Sequence, residues 1–182
     1  MKKTILIFAI ALIIPASSFS QVYKSEYGYI RFYSETPLEN IEGISEKATG
    51  ALRISDNVLV VSIPIKSFAF EKALMQEHFN ETYLESDKYK RGTFKGKVNE
   101  KINWKKDGVY GATATGIMHI HGIDQEITIK GKVVIKEGKI NFETIFNIHL
   151  EEYEIEIPKI VVLNIAEVIE VTMKMTFAPP LK

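Results

Sequence analysis

Residues 169–177, IEVTMKMTF, alternate strictly between apolar and polar side chains. The odd-numbered positions are isoleucine, valine, methionine or phenylalanine, whereas the even-numbered positions are glutamate, threonine or lysine. Successive side chains of a β-strand point to opposite faces, so this period of two predicts a strand with one buried and one solvated face. Such strands are typical of an antiparallel sheet that covers a core on one side.

The same period recurs along most of the chain. Further strands are predicted over residues 29–35, 47–55, 57–67, 91–99, 109–121, 127–135 and 140–150. Turn-forming pairs such as Asp56-Asn57, Asp107-Gly108 and Glu137-Gly138 separate these segments. Eight long strands with few helices predict an all-β fold, an eight-stranded antiparallel barrel whose closure leaves no free edge. A two-sheet sandwich is the alternative that this pattern leaves open.

Residues 70–79, FEKALMQEHF, break the period of two. Most of these residue types are strong helix formers, and Phe70, Leu74 and His78 recur at helical spacing. The stretch predicts a short helical insertion around residues 70–80 that ends near Asn80. Packed across one end of a barrel, this helix would be either a movable lid or a simple cover for the core.

The N-terminus has the order of a secretory signal peptide. Lys2 and Lys3 precede an apolar run over residues 5–14, and Pro15 and small residues follow it. The run is too short for a transmembrane helix, which needs ~20 apolar residues. We expect a signal peptide over residues 1–20, one domain over residues 21–182, and a periplasmic or secreted protein with no stable membrane span.

Composition excludes several functions. The chain has 23 basic and 23 acidic residues and no long basic run after the signal, which disfavours a nucleic-acid partner. It has no cysteine, which excludes disulfides, thiol catalysis and thiolate metal sites. The sequence also lacks the motifs of serine hydrolases, zinc proteases and nucleotide-binding loops. We therefore expect a protein that is not an enzyme and has no cofactor.

The histidines are the remaining candidates for a metal site. His119 and His121 are two residues apart on a predicted strand and share its outward face, and His149 points outward on another strand. Two histidines on one face can bind zinc, but the spacing supplies no third ligand. We interpret them as surface or turn-holding residues and predict no metal site.

Three stretches, in this order, resemble the YceI-like family. They are MQEHFNETYLESDKYKRGTFKGKV at 75–98, GIMHIHGI at 116–123 and EYEIEIP at 152–158. This resemblance implies a lipocalin-like, eight-stranded antiparallel barrel that bacteria export. It also implies an elongated apolar pocket for a polyisoprenoid or another long-chain amphiphilic molecule.

The inward face predicted for residues 109–121 carries Ala112, Ala114 and Gly116 in succession. Small side chains leave volume, so they favour a cavity inside the barrel. A solid core, in which large neighbours fill the gaps, is the alternative. We expect His78, Tyr83 and Tyr89 to contact a ligand head group. The predicted apolar wall consists of Leu59, Val61, Ile63, Ile65, Leu74, Phe79, Phe94, Ala112, Ala114, Gly116, Met118, Ile129, Phe142, Phe146, Val171, Met173 and Met175.

These residues predict a binding protein for a hydrophobic small molecule, namely an isoprenoid, a quinone or a fatty-chain lipid. Each buried methylene contributes about 0.8 kcal/mol, so a long chain in a dry tube needs few polar contacts. Two alternatives stay open, a barrel enzyme that acts on a lipid and a filled barrel with a structural or interaction role. The sequence also allows a homodimer.

Overall fold

The computed structural model describes residues 22–157 and 165–180, in which nine antiparallel strands form one curled sheet. The helical pieces are α1 (Ala73–His78), a π-helical turn (Phe79–Tyr83) and two 3₁₀ turns (Ile65–Ser67 and Leu150–Tyr153). The strands are β1 (Val22–Glu35), β2 (Asn40–Ser45), β3 (Thr49–Arg53), β4 (Val58–Pro64), β5 (Arg91–Val98), β6 (Gly108–Ile120), β7 (Ile123–Lys136), β8 (Lys139–His149) and β9 (Val168–Ala178).

Eight of these strands close the predicted antiparallel barrel, which is confirmed. Strands β3 to β9 pair in sequence, and β1 completes the circle by pairing with both β3 and β9. β2 is an additional strand that was not predicted from the sequence, and it pairs with the second half of β1. Its central Gly43 lies beneath the ring of Phe32 and provides no apolar side chain, so the alternation there is weak.

Two tight hairpins connect β6, β7 and β8. The first turns at His121 (φ 53°) and Gly122 (φ 84°), the second at Glu137 (φ 52°) and Gly138 (φ 76°). Two consecutive positive φ values are typical of a type I′ turn, whose twist matches that of the flanking strands. Glycine at the second position has no Cβ and adopts this conformation without strain. The turn predicted at Glu137-Gly138 is therefore confirmed.

One end of the barrel, which we call the closed end, is filled. Here the 99–107 linker crosses the barrel and buries Trp104, whose Nε1 donates a hydrogen bond to Asn57 Oδ1 at 2.9 Å. Asn57 Nδ2 in turn donates to the carbonyls of Val98 and Glu100, which ties the linker to the β3–β4 hairpin. The buried side chains packed at this end are Tyr23, Leu52, Trp104, Ile135, Ile140, Met175 and Phe177.

The opposite end, which we call the open end, carries the helical insertion. Phe32 of β1 packs against Phe68, Phe70 and Phe79 of the insertion, with ring centroids 5.1–5.5 Å apart. The helix predicted around 70–80 is confirmed, but helical turns continue past Asn80 to Tyr83. Asn80 Nδ2 donates to the carbonyl of Gln76 and so caps the preceding turn from within the helical segment.

The predicted signal peptide over residues 1–20 lies outside the described ranges. In the part of the chain that the structure describes, no helix has the length and apolar character needed to cross a membrane.

Candidate functional site

A cavity of about 550 Å³ occupies the open half of the barrel. Its volume falls within the ~300–1,000 Å³ that is usual for small-molecule sites. The inward faces of the strands and the inner side of the helical insertion form its wall, which consists mainly of aliphatic, aromatic and methionine side chains. Val98, Val133 and Phe142 close its floor, where the filled end begins.

Most of the predicted apolar wall residues border this cavity. The alternation of the strands places them there because one face of each strand points inward. Whether they contact a ligand stays a prediction. The predicted residues that border the cavity are Leu59, Val61, Ile63, Ile65, Leu74, Phe79, Phe94, Ala112, Ala114, Met118, Ile129, Phe142, Phe146, Val171 and Met173.

Gly116 and Met175 lie elsewhere, which corrects two of the predicted positions. Gly116 pairs with Gly96 across β5 and β6, and a Cβ on either residue would overlap the backbone of the other strand. The pair therefore allows two backbones to approach closely, and the ring of Phe94 covers Gly96. Met175 is 1% exposed and belongs to the filled end, where its methyl group faces Gly50.

Charged side chains border the mouth of the cavity. Lys72 Nζ donates a hydrogen bond to Glu39 Oε1 at 2.6 Å, which joins the start of α1 to the β1–β2 loop. This hydrogen bond raises the pKa of Lys72. His78 and Leu74 of α1 also border the cavity, and Leu74 is 60% exposed. The mouth is thus a mixed rim around an apolar interior.

Tyr83 also borders the cavity, one helical turn beyond His78, and burial raises the pKa of its hydroxyl. Of the three predicted head-group residues, His78 and Tyr83 therefore lie at the cavity.

Tyr89, the third predicted head-group residue, lies away from the cavity. Its ring packs edge-on against His121, with centroids 4.5 Å apart, and covers Gly122. His121 Nε2 lies 3.0 Å from a carboxylate oxygen of Glu85, and Nδ1 lies 3.1 Å from the carbonyl of Tyr153. These contacts brace the β6–β7 turn against two neighbouring loops, as expected of a turn-holding histidine.

His119 has a different partner, since its Nδ1 lies 2.6 Å from Asp124 Oδ1 on the facing strand. Within residues 22–157 and 165–180, no three acidic or histidine side chains come together in a way that could hold a metal ion.

Several residues that border the cavity were not predicted from the sequence. Ile30 and Phe32 of β1 point inward, and the alternation of residues 29–35 was the signal that could have identified them. Thr144 also borders the cavity, as a polar residue on the otherwise apolar face of β8. Its deviation from the pattern was visible in the sequence.

A sequence model of the YceI-like domain matches residues 23–177. The chain belongs to the YceI-like family. A search of curated protein sequences finds no match.

Solved structures share this YceI-like fold. A polyisoprenoid binding domain from Saccharophagus degradans has a TM-score of 0.70 at 14% identity, over 87% of this chain and 98% of that chain. BcnA from Burkholderia cenocepacia has a TM-score of 0.68 at 13% identity, over 82% and 95% of the two chains. The YceI protein of Campylobacter jejuni has a TM-score of 0.57 at 16% identity, with both chains covered completely. At these identities the likeness establishes the fold.

Proposed function

We propose that this YceI-like barrel binds one long apolar or amphiphilic molecule in its open half. The observation that carries the proposal is the 550 Å³ cavity, whose wall is hydrocarbon and whose mouth is polar. A polyisoprenoid, a quinone or a fatty-chain lipid has the matching chemistry, with an apolar chain and a polar head. The similarity to a polyisoprenoid binding domain supports this ligand class.

The hydrophobic effect sets a minimum length for the hydrocarbon chain of the ligand. Each buried methylene contributes about 0.8 kcal/mol, so roughly ten methylenes contribute about 8 kcal/mol. Association itself costs about 4–15 kcal/mol in lost freedom, and micromolar affinity corresponds to about −8 kcal/mol. A short chain therefore binds weakly, and we expect affinity to rise steeply with the number of buried carbons.

The position of the ionisable groups favours binding over catalysis. Glu39, Lys72 and His78 stand at the mouth, where they reach a head group but not the buried chain. A barrel enzyme would need an ionisable side chain beside the reacting bond, and Tyr83 and Glu143 are the candidates for that role among the described wall residues. We infer that the protein is a periplasmic or secreted carrier.

The first experiment is native mass spectrometry of the protein purified from its own host, followed by organic extraction. A discrete hydrophobic molecule of constant stoichiometry is the expected result, and its mass identifies the ligand class. An unliganded mass, together with no binding of fatty acids of any length, would overturn the proposal.

A pair of variants on β6 tests the location of the site. Ala114 borders the cavity, whereas Ile117 of the same strand points outward and is 43% exposed. Ala114→Trp should weaken binding of a long fatty acid at least tenfold, because the indole occupies the ligand volume. Ile117→Trp, the matched control, should bind as the unmodified chain does. Circular dichroism checks that both variants fold, and equal affinities would place the ligand outside the barrel.

A further inference from the structure

Within the described residues, the strand pairing of the barrel wall stops early between β7 and β8. β7 pairs with β6 along its whole length, and β8 pairs with β9 up to His149↔Val168. The β7–β8 ladder, in contrast, stops at Gly131↔Thr144. Residues 123–130 of β7 and 145–149 of β8 therefore diverge, and we call this gap the seam.

Hydrogen bonds limit the seam at both ends. Thr144 Oγ1 donates to the carbonyl of Lys130 at 2.5 Å, where the two strands separate. Near the rim of the barrel, Gln125 Nε2 donates to the carbonyl of Glu152 at 2.7 Å. Residues 126–129 of β7 lie between these bonds, which at 3.3 Å per residue gives a window about 13 Å long.

The alternation of apolar inward and polar outward residues in β8 is interrupted where the seam begins. Thr144 is polar but points inward and is buried, whereas its neighbour Ile145 is apolar but points outward and is 63% exposed. The hydrogen bond to Lys130 accounts for Thr144, whereas the exposed isoleucine simply breaks the alternation. Departures of this kind are expected at functional or strained sites.

The cavity comes close to the outer surface at this point. Gly131, Glu143, Thr144 and Met173 border the cavity, and the same four residues border a depression on the outer face of the barrel. The wall between the two spaces thus consists of a residue without a side chain, a glutamate, a threonine and a flexible methionine. Ile145 lies in the outer depression, beside Lys130 and Lys174.

We propose that the seam is a side opening through which the distal end of a hydrocarbon chain leaves the cavity and lies over Ile145. This inference rests on the proposed function and adds to it the class of ligand, namely chains longer than the cavity. The aliphatic stems of the surrounding lysines extend the apolar surface while their ammonium groups remain in water. A second copy that adds a strand to the seam is the rival occupant, and the dependence on protein concentration tested below separates it from the ligand chain.

The absence of cysteine makes a direct test possible. A thiol-reactive fluorophore is attached to Ile145→Cys or, as the matched control, to Ile117→Cys, an exposed outward position on β6. Fatty acids of increasing length, each with bromine on its terminal carbon, then act as quenchers. We expect quenching at position 145 above a threshold chain length and no quenching at position 117 at any length.

A cross-link tests the same opening without a label. If the ladder continued in register, Thr128 would face Asn147 across the seam, so Thr128→Cys with Asn147→Cys closes it on oxidation. The control pair, Val60→Cys with Lys95→Cys, joins outward residues that already face each other across β4 and β5, away from the cavity and the outer depression. Oxidation of the seam pair should weaken binding of the longest chains at least tenfold, spare short chains and be reversed by a reductant. The control pair should have no effect.

The outcomes separate the two proposals. Loss of binding for every chain length in the unmodified protein would overturn the proposed function. Normal binding with no quenching at position 145, or with an unchanged length profile in the cross-linked protein, would overturn the side opening alone. A signal at position 145 that depends on protein concentration and not on chain length would assign the seam to a second copy and overturn the inference.

Discussion

Ile140 and Phe177 pair across β8 and β9 in the closed half of the barrel, and Phe146 and Val171 pair across the same two strands in the open half. The residue types and the alternation are the same in both halves. Nevertheless, Ile140 and Phe177 are 0% exposed within a filled core, whereas Phe146 and Val171 border the cavity. The strands alone therefore do not determine whether the interior is filled.

The connections at the two ends account for the difference. At the closed end, the 99–107 linker places Trp104 inside the barrel, near Phe142. At the open end, the helical insertion packs its phenylalanines against Phe32 at one side and leaves the centre unfilled. An indole therefore fills the closed end, whereas the centre of the open end remains a pocket.

The largest expected effect is a difference in stability between matching variants in the closed and open halves. Phe177→Ala should destabilise the fold by about 3–5 kcal/mol, because it leaves a cavity in a close-packed core. Phe146→Ala should cost less than half as much, because its ring already faces empty volume. Urea unfolding followed by circular dichroism measures both. The exposed Val109→Ala serves as control and should change stability by less than about 0.5 kcal/mol. Equal losses for the two phenylalanines would show that both halves are filled.

The next effect concerns the indole at the closed end. Trp104→Phe keeps an aromatic ring but removes the donor to Asn57 Oδ1, which should cost about 1–3 kcal/mol. Asn57→Gly removes the acceptor and preserves the positive φ of 62°. If the hydrogen bond is the cause, the double variant loses less than the sum of the single losses. Since Trp104 is the sole tryptophan, circular dichroism and not fluorescence monitors unfolding. Fatty-acid binding should remain unchanged, and a large loss of affinity would contradict the separation of the two halves.

The smallest effect is pH-dependent and concerns Glu100 of the same linker. Burial by itself raises the pKa of this carboxyl, but hydrogen bonds from the backbone and hydroxyl of Thr113, at 2.7 and 2.9 Å, lower it overall. The resulting stabilisation is fully present above the ordinary pKa of 4.5 and is lost as the pH falls through the lower folded value.

Glu100→Gln should therefore lower the free energy of unfolding by about 1 kcal/mol at neutral pH. The loss should become smaller as the pH falls through the lowered folded pKa of Glu100. Urea unfolding at a series of pH values measures the difference. Glu126→Gln, at an exposed position on the outer face of β7, is the control. A constant difference across the pH range would mean that the loss at Glu100 does not come from its charge.

Much of the barrel could be predicted because its strands carry a clear period of two. The alternation of residues 169–177 and 140–150 predicts both the strand and the inward face. β2 was missed because residues 40–45 are few and include Gly43 at the centre. The helical turns after Asn80 were missed because Leu84 N–H donates to the carbonyl of Phe79, a π-type bond that helix propensity does not predict.

Whether the predicted wall residues bind a ligand stays a prediction, but the structure shows where each of them lies. Ala112 and Ala114 border the cavity as their small size suggested, whereas Gly116 faces Gly96 across two closely approaching strands. Ala112, Ala114 and Gly116 look alike in the sequence, because all three are small. A small residue can either leave volume for a cavity or admit the backbone of a neighbouring strand. The difference depends on the partner strand.

The sequence by itself determined most of the strands, their inward faces, the Glu137-Gly138 turn and the family, because these depend on local periodicity and on residues close together in the chain. The tertiary structure alone decided which half is hollow, since that depends on where Trp104 and the helical insertion pack against strands distant in sequence. It also decided where the β7–β8 ladder ends, because both strands continue beyond Gly131↔Thr144 with an alternation that suits pairing.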